Sequence, residues 1–458
     1  MMQRRRLSFV LTAAASVAFL IGTSAGAAGP APAPAAQEGP TYVFRVPAPL
    51  GQKAQDLLAR GFDVLEQRDG DDLFVLGTKD VHGKLAEAGY TGTVESVMAP
   101  PQFEAKTQGY GVTETYYGGY RTVKAHYAHL DQVALKYATL TTLVDYGDSW
   151  RKTQGAGGYD LKAICITKKA PGDCLQIPAS RKPRLFVSGQ IHAREITTGD
   201  MAWRWIDHLT TGYGKDAEVT KLLDTTEVWV VPIANPDGVQ IVQSGGDSPK
   251  LQRKNANYTN GPRECPTGQD PYAQVGIDVN RNFSVQWGDN GTSSDPCHQV
   301  YRGPSPDSEV ETKALEKLFR GLFPDKRGPA VTDPAAPDTK GMVVTMHSAL
   351  NVVLLPWGYT TQPSPNDGKL RAMAADMARL AGGWRYGQPG ELLYTAGGSI
   401  DDWVYGELGV PHYTWEIGNW EGDCAGFLPA YSCQDGHWAK VKPMLAYAAA
   451  KAAAPYAN

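Results

Sequence analysis

The segment Arg184-Leu185-Phe186-Val187-Ser188-Gly189-Gln190-Ile191-His192-Ala193-Arg194-Glu195 restricts the fold more than any other. It reads as a buried strand, a glycine turn and then a helical turn. Residues three apart on a helical turn face the same way, so His192 and Glu195 share a side. An imidazole and a carboxylate on one side are two of the three protein ligands a catalytic zinc needs. By itself the spacing is weak evidence, because HxxE arises in many unrelated chains. The rest of the sequence must supply a third ligand, a base and a group that grips the substrate.

The 458 residues suffice for one large domain and smaller pieces. The formal net charge is -4 and no strongly basic block follows residue 6, which argues against nucleic acid as the main partner. Residues 1–27 read as an export signal. Arg4, Arg5 and Arg6 precede an apolar run from Leu7 to Ile21, and Ala25-Gly26-Ala27 offers a small-residue cleavage pattern. The expected product is secreted and free of the membrane once the signal is cut. Residues 28–40 are an Ala/Pro-rich linker. Residues 41–98 alternate as β-α-β-β-α-β, the ferredoxin-like pattern, and read as a small α+β module that assists folding or covers a cleft. Residues 99–109 form a second linker, in which Lys106 is open to a trypsin-like protease.

From residue 110 to 458, helices alternate with apolar strands, as in an α/β domain. His192 follows one apolar strand. His347 ends another, Val343-Val344-Thr345-Met346, and is the candidate third ligand; His208 and His298 are decoys. Glu416 ends Tyr413-Thr414-Trp415, where aromatic burial would raise its pKa and suit it to moving protons. Arg281 lies between Asn280 and Asn282 after Ile277-Asp278-Val279, and arginine grips carboxylates bidentately. Cys165, Cys174, Cys265, Cys297, Cys424 and Cys433 are an even set in an exported chain, and nearest-neighbour pairing is the simplest arrangement.

These blocks stand in the order seen in secreted zinc carboxypeptidases of the carboxypeptidase A/B family, which the chain resembles from about Tyr110 onward. His192-Ala193-Arg194-Glu195 is similar to the zinc motif. Pro232 to Gly238, Arg253-Lys254, Val279 to Phe283, Met346-His347-Ser348 with Leu355 to Tyr359, Tyr394 to Ser399, and Thr414-Trp415-Glu416 match further blocks. The resemblance implies a mixed central sheet with helices on both faces, and one zinc ion on His192, Glu195 and His347. It implies that Asp278 orients His192, and that a zinc-bound water attacks with Glu416 as general base. Arg253 would stabilise the oxyanion, Asn280 and Arg281 would hold the substrate's free carboxylate, Tyr394 would close as a lid, and Arg194 would add positive potential further out. It also implies a Cys265–Cys297 disulfide and a pro-segment removed by an activating protease. The expected partners are peptide and protein C-termini, and the expected state is a monomer. Ala349 and Gly418 depart from the family at a Tyr and at a charged residue.

By the same resemblance, Leu354, Gly358, Leu393, Ala396 and Thr414 shape the side-chain pocket. The spacings from Tyr394 to Trp403 and from Trp403 to Glu416 place Asp401 at its floor, implying a preference for basic or for mixed basic and apolar ends. A one-residue slide would place Ile400 there and imply apolar preference. Two rival readings are a peptidase of the same fold that acts on cell-wall peptides and a catalytically dead module that binds C-terminal tails.

Overall fold

The computed structural model describes residues 39–49, 52–99 and 111–457. The expected export signal and most of both expected linkers lie outside the described residues.

The first sheet is built from β1 (Thr41–Pro47), β2 (Asp63–Asp69), β3 (Asp72–Gly77) and β4 (Thr93–Met98), with α1 (Gln52–Ala59) and α2 (Val81–Glu87) between strands. Its order is β2-β3-β1-β4 and all neighbours are antiparallel, the ferredoxin-like arrangement expected. Asp69 pairs with Asp72, leaving Gly70 and Asp71 as a two-residue turn, and Gly70 takes the φ of +55° that glycine tolerates best. Alternation sorts the strands. Phe44, Val46, Val64, Leu73 and Val75 pack with Leu57, Leu58, Val81 and Leu85 of the helices. Val43, Leu65, Phe74 and Leu76 pack the other way, onto Leu251, Trp420 and Phe427. The β2–β3 ladder is interrupted. Val64 opposes Val75 and Arg68 opposes Leu73, so residues 65–67 of β2 bulge out of register.

The larger domain opens with two short paired strands, β5 (Thr115–Tyr116) and β6 (Tyr120–Arg121). Next comes α3 (Val123–Lys136), capped by the Thr122 side chain on the Ala125 N–H at 3.2 Å. There follow β7 (Thr141–Asp148), α4 (Trp150–Thr153), β8 (Asp160–Ile166), β9 (Arg184–Ser188), α5 (Ile196–Gly212), α6 (Ala217–Thr225), β10 (Glu227–Val231) and α7 (Pro236–Gln243). A long connection, holding one 3₁₀ turn at Val279–Arg281, leads to α8 (Val310–Leu322). The chain ends through β11 (Met342–His347), β12 (Val352–Leu354), α9 (Asp367–Leu380), β13 (Arg385–Gly387), α10 (Pro389–Leu392), α11 (Ile400–Leu408), β14 (His412–Glu416) and α12 (Gln434–Lys451).

These strands form one eight-stranded mixed sheet, β13-β12-β14-β11-β9-β10-β8-β7. Its centre, β14-β11-β9-β10, is parallel. Parallel strands are covered on both faces, which is why they read as unbroken apolar runs. Leu185, Val187, Val228, Val230, Met342, Val344, Tyr413 and Trp415 share one core with residues of α3, α5, α9 and α12. Phe186, Trp229, Val231 and Val343 share the opposite core with residues of α8 and α11. Strand parity thus assigns His347 to the side of Val343 and Thr345, and Glu416 to the side of Thr414. The Thr345 and Thr414 hydroxyls meet there at 3.2 Å.

Disulfides join Cys165 to Cys174, Cys265 to Cys297 and Cys424 to Cys433, the nearest-neighbour pairing. Among the described residues no helix is long and apolar enough to cross a membrane. Two local expectations need correction. Asn235 to Gly238, read as a turn, instead starts α7: the Asn235 side chain caps the Gly238 N–H at 3.0 Å and Pro236 takes the first helical position. The helical turn expected at His192–Glu195 is an isolated turn. Glu195 N–H donates to the His192 carbonyl at 3.2 Å, and α5 begins only after Glu195.

Candidate metal centre and substrate cleft

The turn that carries His192 is fixed from several sides. Gly189 follows β9, and a Cβ there would stand 2.8 Å from the Thr198 carbonyl oxygen, so a side chain would push the turn off α5. Thr198 Oγ1 accepts the Gln190 N–H and donates to the Glu195 carbonyl, both at 2.8 Å. The Ala193 N–H donates to the Arg253 carbonyl at 3.0 Å, and Asn235 Nδ2 to the Ile191 carbonyl at 3.2 Å. His347 arrives from the end of β11, the strand beside β9.

Three donor atoms converge there. His192 Nδ1 lies 2.7 Å from Glu195 Oε1, His347 Nδ1 lies 3.1 Å from Glu195 Oε2, and the two Nδ1 atoms are 3.1 Å apart. All three side chains are buried. The donor set suits zinc: two imidazoles and one carboxylate, the composition of catalytic sites that keep a position open. The outer nitrogen of His192 supports the fit. Its Nε2 is 3.2 Å from Asp278 Oδ1, which favours the proton on Nε2 and a lone pair on Nδ1, toward the cluster. Burial works to raise the Glu195 carboxyl, but His192 and His347 hold it down at about 2. Burial and Arg253 work to lower His192, and Glu195 and Asp278 outweigh them and raise it.

Asp278 serves Arg253 as well, accepting from its Nε at 2.9 Å. Despite burial, Arg253 and His192 keep the Asp278 carboxyl well below the carboxylate range. Two residues on, Arg281 donates through Nε to the Gly291 carbonyl at 3.0 Å and through one terminal nitrogen to the Asn280 carbonyl at 2.9 Å. Its other terminal nitrogen faces the cleft, 3.5 Å from the Tyr394 hydroxyl. Asn280 Oδ1 accepts the Ile400 N–H at 2.9 Å, which leaves its amide N–H₂ as the free end. Glu416 stands opposite His347 in the β11–β14 register and is buried. Burial raises its carboxyl well above the usual range, reinforced by Glu195 and Glu66.

Asn280, Arg281, His347, Tyr394, Asp401 and Glu416 line one pocket, with Leu354, Gly358, Leu393, Ala396 and Thr414 as its walls. Its free volume is only about 40 Å³. Asp401 faces this pocket, whereas Ile400 lies in the core with Phe186 and Trp403. A larger groove of about 430 Å³, between β4 and residues 420–430, is lined by none of the predicted site residues.

The N-terminal sheet fills the cleft, and its residues are ones the sequence did not single out. From the β2 bulge, Glu66 Oε1 accepts from Arg253 and from Arg281, each at 2.9 Å. The two arginines hold the Glu66 carboxyl well below its usual range against the effect of burial. Asp63 accepts from Arg194 at 2.9 Å, and the Arg194 guanidinium also lies 4.1 Å from the Phe427 ring centroid. Arg68 donates to the carbonyl of Leu393, the residue before Tyr394, at 2.9 Å. Gln55 accepts the Gly291 N–H at 2.8 Å. No local pattern marks Glu66 or Asp63, because their partners lie more than a hundred residues away.

Sheet, converging ligands and paired guanidiniums define a metallopeptidase-like α/β protein. Residues 126–438 match the zinc carboxypeptidase family, and the chain belongs to it. It is 29% identical to mouse carboxypeptidase A4 over 307 residues, 66% of this chain and 63% of that relative. It is 27% identical to human carboxypeptidase A1, over 67% of this chain and 64% of that one. The matches therefore span less than two thirds of these relatives. In fold, the chain superposes on carboxypeptidase A from Helicoverpa armigera with a TM-score of 0.67 at 20% identity, covering 90% of this chain and 98% of that one. It superposes on thrombin activatable fibrinolysis inhibitor with a TM-score of 0.66 at 19% identity, covering 91% and 99%. Residues 111–457 alone could not supply those shares, so the shared fold includes the N-terminal sheet.

Proposed function

We propose that this chain is a zinc-dependent exopeptidase that removes C-terminal residues from peptides and proteins. One observation carries the reading: Arg253 and Arg281 converge at 2.9 Å on a single carboxylate oxygen, beside the His192–Glu195–His347 cluster and Glu416. That oxygen belongs to Glu66, whose carboxylate occupies Arg281 as the free carboxylate of a chain end would, and reaches across to the Arg253 guanidinium as well. An internal peptide bond has no such group to offer.

When bound on His192, Glu195 and His347, zinc supplies Lewis-acid polarisation of a carbonyl and makes water more acidic. The chain's own residues do the rest. Arg281 and Asn280 hold the terminal carboxylate, and Arg253 donates to the oxygen on which negative charge develops. Glu416 takes the proton of the attacking water and passes it to the leaving amine, a role suited by its raised pKa. Tyr394 closes over the bound residue. Asp401 gives the pocket a preference for basic ends, with apolar ends also accepted.

Residues 41–98 act as a pro-segment that blocks the cleft through Glu66 until a protease cuts the connection to the larger domain. The mature enzyme is a secreted monomer, with residues 1–27 as its export signal. The test uses zinc-loaded full-length protein after brief trypsin treatment, on one peptide with a free and with an amidated C-terminus, with and without chelator. Cleavage should require the free carboxylate and the metal. Equal cleavage of the amidated peptide would overturn the proposal.

A further inference from the structure

Asn290 is exposed and the next residue, Gly291, is buried, on the long connection that leads to α8. The Asn290 carbonyl accepts the Gly397 N–H at 2.9 Å, and the Gly291 carbonyl accepts Arg281 Nε at 3.0 Å. Gly291 takes a φ of +70°, and a Cβ on it would collide with the Thr395 carbonyl and with Ala396. One stretch of backbone thus seats the Arg281 guanidinium and packs against the block that carries Tyr394. The Gly291 N–H is held from the N-terminal sheet. It donates to Gln55 Oε1 of α1 at 2.8 Å, and Gln55 Nε2 donates to the Thr292 carbonyl at 3.5 Å.

An asparagine followed by glycine can modify itself. The glycine nitrogen gives its proton to solvent and bonds to the asparagine Cγ. The Cγ–Nδ2 bond breaks, and Nδ2 takes a proton from water and leaves as ammonia. Water then opens the succinimide at either carbonyl, giving aspartate or isoaspartate. Glycine favours the attack because no Cβ shields its nitrogen. A hydrogen bond on that N–H opposes it, because the attacking nitrogen must give up the proton that the acceptor holds.

We infer that Asn290–Gly291 is a self-modification site governed by the N-terminal sheet: Gln55 protects it while the sheet is docked, and release of the sheet starts a slow conversion to isoaspartate that shifts the seat of Arg281. In the isoaspartate the former Asn290 carbonyl becomes a free carboxylate, and the main chain enters Gly291 through an added methylene. The acceptors of Gly397 and Arg281 both move. The effect on turnover rests on the exopeptidase and pro-segment readings above; protection by Gln55 does not.

The experiment incubates zinc-loaded full-length protein at mildly alkaline pH and follows isoaspartate by peptide mass spectrometry. Asn260–Gly261, whose glycine N–H donates to the Tyr258 carbonyl at 3.3 Å, is the reference in the same sample. In uncut protein, Gln55→Ala should speed conversion at Asn290 about two- to ten-fold over wild type, the weight of one neutral hydrogen bond, and leave Asn260 unchanged. Trypsin treatment of wild type should do the same, which answers the question if Gln55→Ala does not fold. As treated wild type ages, KM for a peptide with a free C-terminus should rise by a larger factor than kcat falls. Asn290→Gln should hold its KM, since glutamine closes the larger ring far more slowly. Equal conversion of Asn290 in uncut wild type, uncut Gln55→Ala and treated wild type overturns the inference, as does isoaspartate that builds up with KM unchanged. A fresh treated sample that hydrolyses no such peptide would instead overturn the exopeptidase reading, with the comparison in uncut protein still standing.

Discussion

Asp278 is a carboxylate shared between an imidazole and a guanidinium. One oxygen lies 3.2 Å from His192 Nε2 and the other accepts from Arg253 Nε, so a single side chain stands against both groups. Asp278→Asn keeps an acceptor but loses the charge, and zinc affinity should fall 10–100-fold, read by competition with a coloured chelator. Unchanged affinity would show that His192 needs no such partner. On the proposed reading, Glu416→Gln should lower kcat by about 10² to 10⁴ while binding of a tail peptide survives, because the proposed proton acceptor is lost but the proposed carboxylate grip of Asn280 and Arg281 remains. At this scale the sequence was informative where chemistry sits at the end of an apolar strand, as His347 and Glu416 do. It was silent on Glu66. Nothing in Val64-Leu65-Glu66 says which arginine, if any, will face that carboxylate.

The β2 bulge is the element that matters most to the state of the cleft. A regular strand would alternate Glu66 in register with β3; the extra residues re-aim it at Arg253 and Arg281. Removing one partner of a buried ion pair costs about 3–5 kcal/mol. Glu66→Gln should therefore loosen the N-terminal sheet, and uncut protein should gain activity on a small substrate. A carboxyl held below its ordinary value stabilises above that value and loses the contribution as pH falls through the lowered one. Docking of the sheet should accordingly weaken below about pH 4.5, and by less in Glu66→Gln; hydrogen exchange of β1 to β4 would show it. Strands and long helices were legible from periodicity. The start of α7 was not, because asparagine, proline and glycine begin helices as readily as they make turns. Nor was the turn at His192, which hydrogen bonds from Thr198, Arg253 and Asn235 shape from a distance.

At the scale of the whole molecule, the two sheets meet over a cleft whose ligands are all buried. A metal that binds only the folded state adds stability as RT ln(1 + [L]/Kd). Excess chelator should lower Tm by several degrees as well as abolish activity, and zinc should restore both. An unchanged Tm would mean that the three side chains hold no metal. The α/β class and the ferredoxin-like order were readable from the sequence of elements, whereas the mixed sheet followed only from the family resemblance. How the smaller sheet sits on the larger domain was not, because that depends on Asp63 and Glu66 finding arginines far along the chain.

The register that sets His347 opposite Glu416 makes the chemistry a matter of odd and even. Adding one residue within β14 upstream of Glu416 would turn Trp415 toward the ligands and bury the acid among helices on the far side. Loops around these strands can lengthen or shorten freely by comparison. Anyone redesigning this protein can therefore trade its rims, but must count the residues of β11 and β14 in twos.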